Sequence, residues 1–135
     1  MKEKYYELLT INEAVQVRST VRRILEFIDS HAPDSRARDD LKLVFSELLY
    51  NALIHGNKED VEKRVLVQVR AESERLYVCI EDEGQGFDYR RMIDYAKTDT
   101  ALLSEHGRGM LLVCALTENL SFNETGNQVR FEKEL

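Results

Sequence analysis

Four of the chain's six glycines fall in two short segments, Asp82-Glu83-Gly84-Gln85-Gly86-Phe87 and His106-Gly107-Arg108-Gly109-Met110. Lacking a Cβ, glycine lets a backbone turn sharply or lets another group come close, and it weakens a helix or strand interior. The fold must therefore put these segments at the ends of regular elements. There is one proline, Pro33, so most of the remaining chain is free to form long helices and strands.

The hydrophobic pattern supplies those elements. Residues 4–10 alternate weakly and predict a first strand, and Asn12 is placed as a helix N-cap. Ala14, Val17, Val21, Ile24, Leu25 and Ile28 have the spacing of one apolar helix stripe, which Pro33 closes. Leu41, Val44, Phe45, Leu48, Leu49 and Ala52 form a second stripe, with Gly56 as its C-terminal stop. Val65, Val67, Val69 and Ala71 then alternate with polar residues, as do Leu76, Val78 and Ile80. Glu72-Ser73-Glu74 between the two runs suits a hairpin.

From Asp88 to Glu105 the chain is polar and irregular, with at most a short helix around Arg90–Ala96. That length without regular structure suggests a mobile lid. Met110–Leu116 is apolar on every side and predicts a buried helix. Strands around Leu120–Phe122 and Gln128–Glu132 flank the turn sequence Glu124-Thr125-Gly126-Asn127. The order β-α-α-β-β-lid-α-β-β predicts an α+β fold: a two-layer sandwich whose largely antiparallel mixed sheet carries helices on one face. At 135 residues, a single domain over 1–135 is expected.

The net charge of −6 and pI near 5.1 argue against a non-specific nucleic-acid binder, which needs a basic face. No apolar run is long enough to span a bilayer. The first residues, Met1-Lys2-Glu3-Lys4-Tyr5, hold no apolar signal core, so a cytoplasmic location is expected. Cys79 and Cys114 lie within apolar runs and read as two reduced core thiols.

Three segments carry chemistry. Glu47 and Asn51 are four apart on a helix and share a face offset from its apolar stripe. The Asn oxygen is a hard neutral ligand suited to Mg²⁺, and the Glu can accept a proton from an attacking hydroxyl. Taken alone, such a pair is more commonly a solvated helix face. Asp82 continues the inward row of Leu76, Val78 and Ile80. A carboxylate there needs a partner; the exocyclic amine of a base is one, and a tight acidic turn is the alternative. Gly84 and Gly86 would let a flat ligand approach. Gly107, Arg108 and Gly109 open the last helix, where amides without side chains form an anion site; a flexible loop before a core helix is the alternative. A phosphate-binding Gly-x-x-x-x-Gly-Lys-Ser/Thr motif is absent, and Gly107-Arg108-Gly109 lacks the third glycine of a dinucleotide fingerprint.

In order, the three segments resemble the N box and two glycine boxes of the ATP-binding domain shared by gyrase B, heat-shock protein 90, sensor histidine kinases and mismatch-repair ATPases, the Bergerat fold. Within it the chain resembles the bacterial anti-sigma factor serine kinases, through His55-Gly56 and Gly107-Arg108-Gly109 followed by Met110-Leu111-Leu112-Val113. The resemblance implies ATP and Mg²⁺ as cofactors. It implies Asn51 as the Mg²⁺ ligand, Asp82 on the adenine amino group, and Gly84 and Gly86 around the adenine. It implies amides near Gly107, Gly109 and Met110 on the phosphates, and Glu47 as the base that activates a serine hydroxyl. His55 would touch phosphate or satisfy its helix end; Arg108 would meet the γ-phosphate or a partner. The implied partners are a STAS-type anti-anti-sigma protein as substrate, a sigma factor and a second copy of the chain, with no direct nucleic-acid or membrane contact. An ATP-binding regulatory module without phosphoryl transfer would carry the same residues. A detached histidine-kinase catalytic domain would need a phospho-acceptor helix pair on another chain.

Overall fold

A computed structural model describes residues 4–86, 88, 90–91, 94 and 105–135. Among these residues the elements run β1 (Lys4–Ile11), α1 (Val17–His31), α2 (Arg38–Asn51), β2 (Val65–Glu72), β3 (Arg75–Asp82), α3 (Glu105–Leu116), β4 (Glu118–Phe122) and β5 (Gln128–Glu134). A 3₁₀ turn over Ala14–Gln16 leads into α1, and a π-helical turn over Ala52–Gly56 extends α2. The strands form one sheet in the order β1-β2-β3-β5-β4, and every neighbouring pair is antiparallel. The chain is thus α+β, as the patterning predicts. The lid expected over 88–105 lies largely outside the described residues; within it, Arg90, Arg91 and Asp94 are helical.

Alternation makes the sheet two-faced. Val65, Val67, Val69 and Ala71 of β2 and Leu76, Val78 and Ile80 of β3 are all buried. Register sets Val67 beside Ile80 and Val69 beside Val78, so the two apolar rows form one floor. The β2–β3 connection is a two-residue turn in which Ser73 (φ 53°) and Glu74 (φ 62°) are both left-handed, matching the right-handed twist of the strands. Onto this floor α1 lays Val17, Val21, Ile24, Leu25 and Ile28, and α2 lays Leu41, Val44, Phe45, Leu48 and Leu49. Phe45 meets Phe131 of β5 across the layers, ring centroids 5.7 Å apart.

Four expectations are corrected. Asn12 is not the helix cap: Gln16 Oε1 reaches back to accept from the amides of Asn12 (2.8 Å) and Glu13 (2.9 Å), and the Asn12 side chain instead donates to the Val61 carbonyl. Ala14 therefore sits in the exposed 3₁₀ turn rather than in the α1 stripe. The last helix is not buried all round, because it lies at the layer's edge: Met110 and Val113 are fully covered, but Leu112 is 43% exposed. The cysteines are only half-buried. Cys79 alternates with Val78 and Ile80 and so faces away from the helices.

Candidate functional site

Asp82 ends β3 on the inward row and is 3% exposed. Its Oδ1 accepts a hydrogen bond from the Gly84 amide at 2.8 Å. Burial pushes its pKa up from the ordinary carboxylate value, and the Gly84 bond pulls partly the other way. Its backbone amide donates to the Asn127 carbonyl at 2.9 Å, tying the strand end to the β4–β5 turn. That turn is gathered by Asn123, whose Oδ1 accepts from the amides of Gly126, Asn127 and Gln128.

Two glycines close on this carboxylate. A side chain at Gly56 would collide with the Asp82 carboxyl group, and one at Gly84 would collide with the Gly56 carbonyl. The end of α2 and the loop after β3 therefore touch through backbone, with the acid between them. Gly86 has φ +100°, and a Cβ there would run into the Thr125 carbonyl.

The way α2 ends makes this contact. Its last turn widens over Ala52–Gly56, and the Asn57 amide bonds to the Ala52 carbonyl, five residues back, at 2.8 Å. Helices widened in this way recur at functional sites. The sequence predicts only an ordinary helix stop at Gly56. His55 is exposed on the widened turn, whereas Gly56 is buried against Asp82.

One turn earlier, Glu47 and Asn51 share the face that meets α3. Asn51 is only 4% exposed, so the solvated-face alternative fails for it. Its Nδ2 lies 3.3 Å from the sulfur of fully buried Met110. Half-buried Glu47 abuts Gly109, where a side chain would collide with its carboxylate. The first turns of α3 thus cover both chemistry-bearing side chains of α2.

Gly107, Arg108 and Gly109 stand inside α3, which begins at Glu105, not in a loop before it. The amides of Gly107 and Arg108 fall within the first four of the helix, which have no partner in the helix itself. Those of Gly109 and Met110 occupy positions that ordinarily bond back to residues 105 and 106. The side chains of His106 and Arg108 lie outside the described residues.

The site suits an amine-bearing flat ring next to a cation–phosphate group. A buried carboxylate accepts from an amine, and a carboxamide and a carboxylate lie at helical spacing on the helix whose end meets it. No cluster of three or more His, Cys, Asp or Glu that could hold a metal ion occurs among the described residues. A cation at Asn51 would take most of its ligands from phosphate and water, as Mg²⁺ ordinarily does. A separate trough of about 610 Å³ on the helix-free face of the sheet, lined by Tyr6, Arg70, Tyr77 and Arg130 among others, contains none of the candidate residues.

Asn57, which no motif in the sequence singles out, is 1% exposed. Its Oδ1 accepts from the Glu83 amide at 2.9 Å, and its Nδ2 donates to the Arg64 carbonyl at 3.1 Å. The available signal was an asparagine directly after a helix-ending glycine, a position where its side chain can serve backbone groups. The Met110 contact with Asn51 had no local signal, since 59 residues separate the two.

Residues 11–133 match the model of the histidine kinase-like ATPase domain. The chain is 29% identical over 116 residues to anti-sigma F factor of Bacillus subtilis (strain 168), covering 83% of this chain and 80% of that protein. It is 33% identical over 103 residues to the serine-protein kinase RsbW of the same organism, covering 72% and 64%. Anti-sigma F factor of Bacillus velezensis is 28% identical over 116 residues, covering 83% and 80%.

Proposed function

The chain belongs to the histidine kinase-like ATPase domain family, and on that footing we propose that it is an ATP-dependent protein-serine kinase and anti-sigma factor. Its substrate would be a STAS-type anti-anti-sigma protein, and it would hold a sigma factor when not engaged with that substrate. The observation that carries the reading is Asp82, a buried carboxylate closed in by Gly56 and Gly84 at the end of the helical run that carries Glu47 and Asn51.

In this reading Asp82 accepts from the amino group of adenine, while Gly84 and Gly86 shape the pocket wall by packing closely on the Gly56 and Thr125 carbonyls. Asn51 offers its side-chain oxygen to Mg²⁺, which neutralises phosphate charge when bound. Amides near Gly107, Gly109 and Met110 take the phosphate tail, with His55 and Arg108 beside it. Because Met110 covers Asn51 and Gly109 abuts Glu47, a phosphate tail and its cation would reach both side chains only with the start of α3 displaced. Glu47 takes the proton from the substrate serine hydroxyl. The serine oxygen then bonds to the γ-phosphorus, and the bond to the β–γ bridging oxygen breaks with release of ADP. Such transfer is chiefly positioning and charge neutralisation, so one base, one metal ligand and an amide cradle suffice.

The names of the similar Bacillus proteins, one a serine-protein kinase and others anti-sigma factors, support both halves of the proposal. A homodimer working in the cytoplasm without contacting nucleic acid or membrane completes it. No helix among the described residues is long and apolar enough to cross a membrane.

Glu47→Ala tests the mechanism. It should bind Mg·ATP like the wild type and lose transfer of labelled γ-phosphate to a cognate STAS protein by about a hundredfold or more. Transfer at the normal rate would remove Glu47 from the role of base. Absence of transfer from the wild type, with ATP still bound, would leave a regulatory module that switches partners without phosphorylating them.

A further inference from the structure

We propose that Asn57 is a positioning residue that sets the base selectivity of this site by fixing Gly56 and Gly84 about Asp82. The inference rests on the reading of the site as an adenine pocket.

Asn57 joins three segments that are distant in sequence or direction. Its backbone amide closes the widened turn of α2 on Ala52. Its side-chain oxygen accepts from the Glu83 amide, and its side-chain nitrogen donates to the Arg64 carbonyl. Arg64 returns the link, its amide donating to Glu83 Oε2 at 2.7 Å. The side-chain amide has one workable orientation, since one end faces a donor and the other an acceptor. Asn57 directly follows Gly56 in the chain, and its partner Glu83 lies between Asp82 and Gly84. The residue therefore ties the backbone on one side of the carboxylate to the backbone on the other.

That tie bears on selectivity because the contact has no slack. Gly56 meets the Asp82 carboxyl group, and Gly84 meets Gly56, at separations that exclude even a methyl group. If the loop after β3 loosens, the Gly84 amide leaves Oδ1, and the carboxylate turns away from a single aim. A carboxylate held in one direction accepts from the 6-amino group of adenine and repels the 6-oxo group of hypoxanthine. A polar site of this kind discriminates strongly against an analogue that cannot complete its hydrogen bond. Shortening Asn57 to alanine strands the Glu83 amide and the Arg64 carbonyl but leaves the groups proposed to meet the phosphates in place.

Calorimetric titration with Mg·ATP and Mg·ITP reads this directly. The wild type should prefer ATP by about tenfold or more. Asn57→Ala should lose about tenfold in ATP affinity while ITP affinity changes by less than about threefold, so the preference collapses. Asn57→Asp keeps an acceptor for Glu83 but repels the Arg64 carbonyl; its preference should fall between the two, and it serves if the alanine variant does not fold. Asn12→Ala is the control. It removes the bond from Asn12 to the Val61 carbonyl, loosening the same 57–64 loop from outside, and should leave the ATP:ITP ratio unchanged. A parallel loss of both nucleotides in the Asn57 variants, or an unaltered ratio, overturns the inference while leaving the pocket standing. A wild type that binds neither nucleotide overturns the pocket and the inference with it.

Discussion

Asp82 bears opposing demands at one carboxyl group. Burial raises its pKa above the ordinary value of 3.8, so the folded chain takes up the proton more readily than the unfolded chain does. Between the raised value and 3.8, the folded state binds more protons, and its stability rises as the pH falls. The deprotonated form is the one that accepts from an adenine amine. ATP affinity should therefore weaken in the same acid range where the fold gains stability, and at a higher pH than an exposed carboxylate would give. Asp82→Asn should melt no lower than the wild type, since it removes a buried charge, and its melting temperature should lack this part of the acid response. Thermal melts across pH check both points. A variant that melts well below the wild type would mean that the carboxylate holds the fold together rather than serving a ligand. The inward position of Asp82 is legible in the sequence, because period-two alternation carries it onto the row of Leu76, Val78 and Ile80. Asn57 is legible there only as an asparagine after the helix-ending Gly56; its partners, Arg64 and Glu83, become neighbours only when β2 and β3 pair.

The helices show a similar division. The stripe of α2 is read correctly to Ala52 because 3.6-residue periodicity and core burial agree. The widened turn that follows is invisible to periodicity, since it arises where Asn57 bonds back to Ala52. The seven apolar residues 110–116 suggest full burial, but a helix at the edge of a layer needs only one covered side, and Leu112 is left half-exposed. The packing of α3 on α2 leads to a prediction for Gly109. Alanine in a helix interior is worth about 1 kcal/mol over glycine, whereas the new methyl group meets the Glu47 carboxylate, the movable end of a flexible side chain. Gly109→Ala should thus keep or slightly raise the melting temperature while slowing phosphoryl transfer by about tenfold or more. Melting curves and labelled transfer on the same preparation check it. Transfer at the wild-type rate would show that the position of Glu47 beside α3 does not matter to the reaction.

Across the whole molecule, two layers meet along one apolar floor, and Phe45 on Phe131 ties the helix that carries Glu47 and Asn51 to the sheet. The candidate site lies where that floor ends, at the last residue of β3, so the rigidity of the core holds Asp82 while the first turns of α3 cover Asn51 and Glu47. The element order and the two-faced sheet follow from patterning alone. Which groups finally touch does not, because the contacts at the site join residues far apart in the chain: Asn51 with Met110, and the Asp82 amide with the Asn127 carbonyl. The most direct test of the account is calorimetric titration of Mg·ATP into the wild-type chain and into Asp82→Asn at neutral pH. Micromolar or tighter binding by the wild type, with none detectable in the variant, is the expected result. Equal affinities, or no heat from either protein, would contradict it.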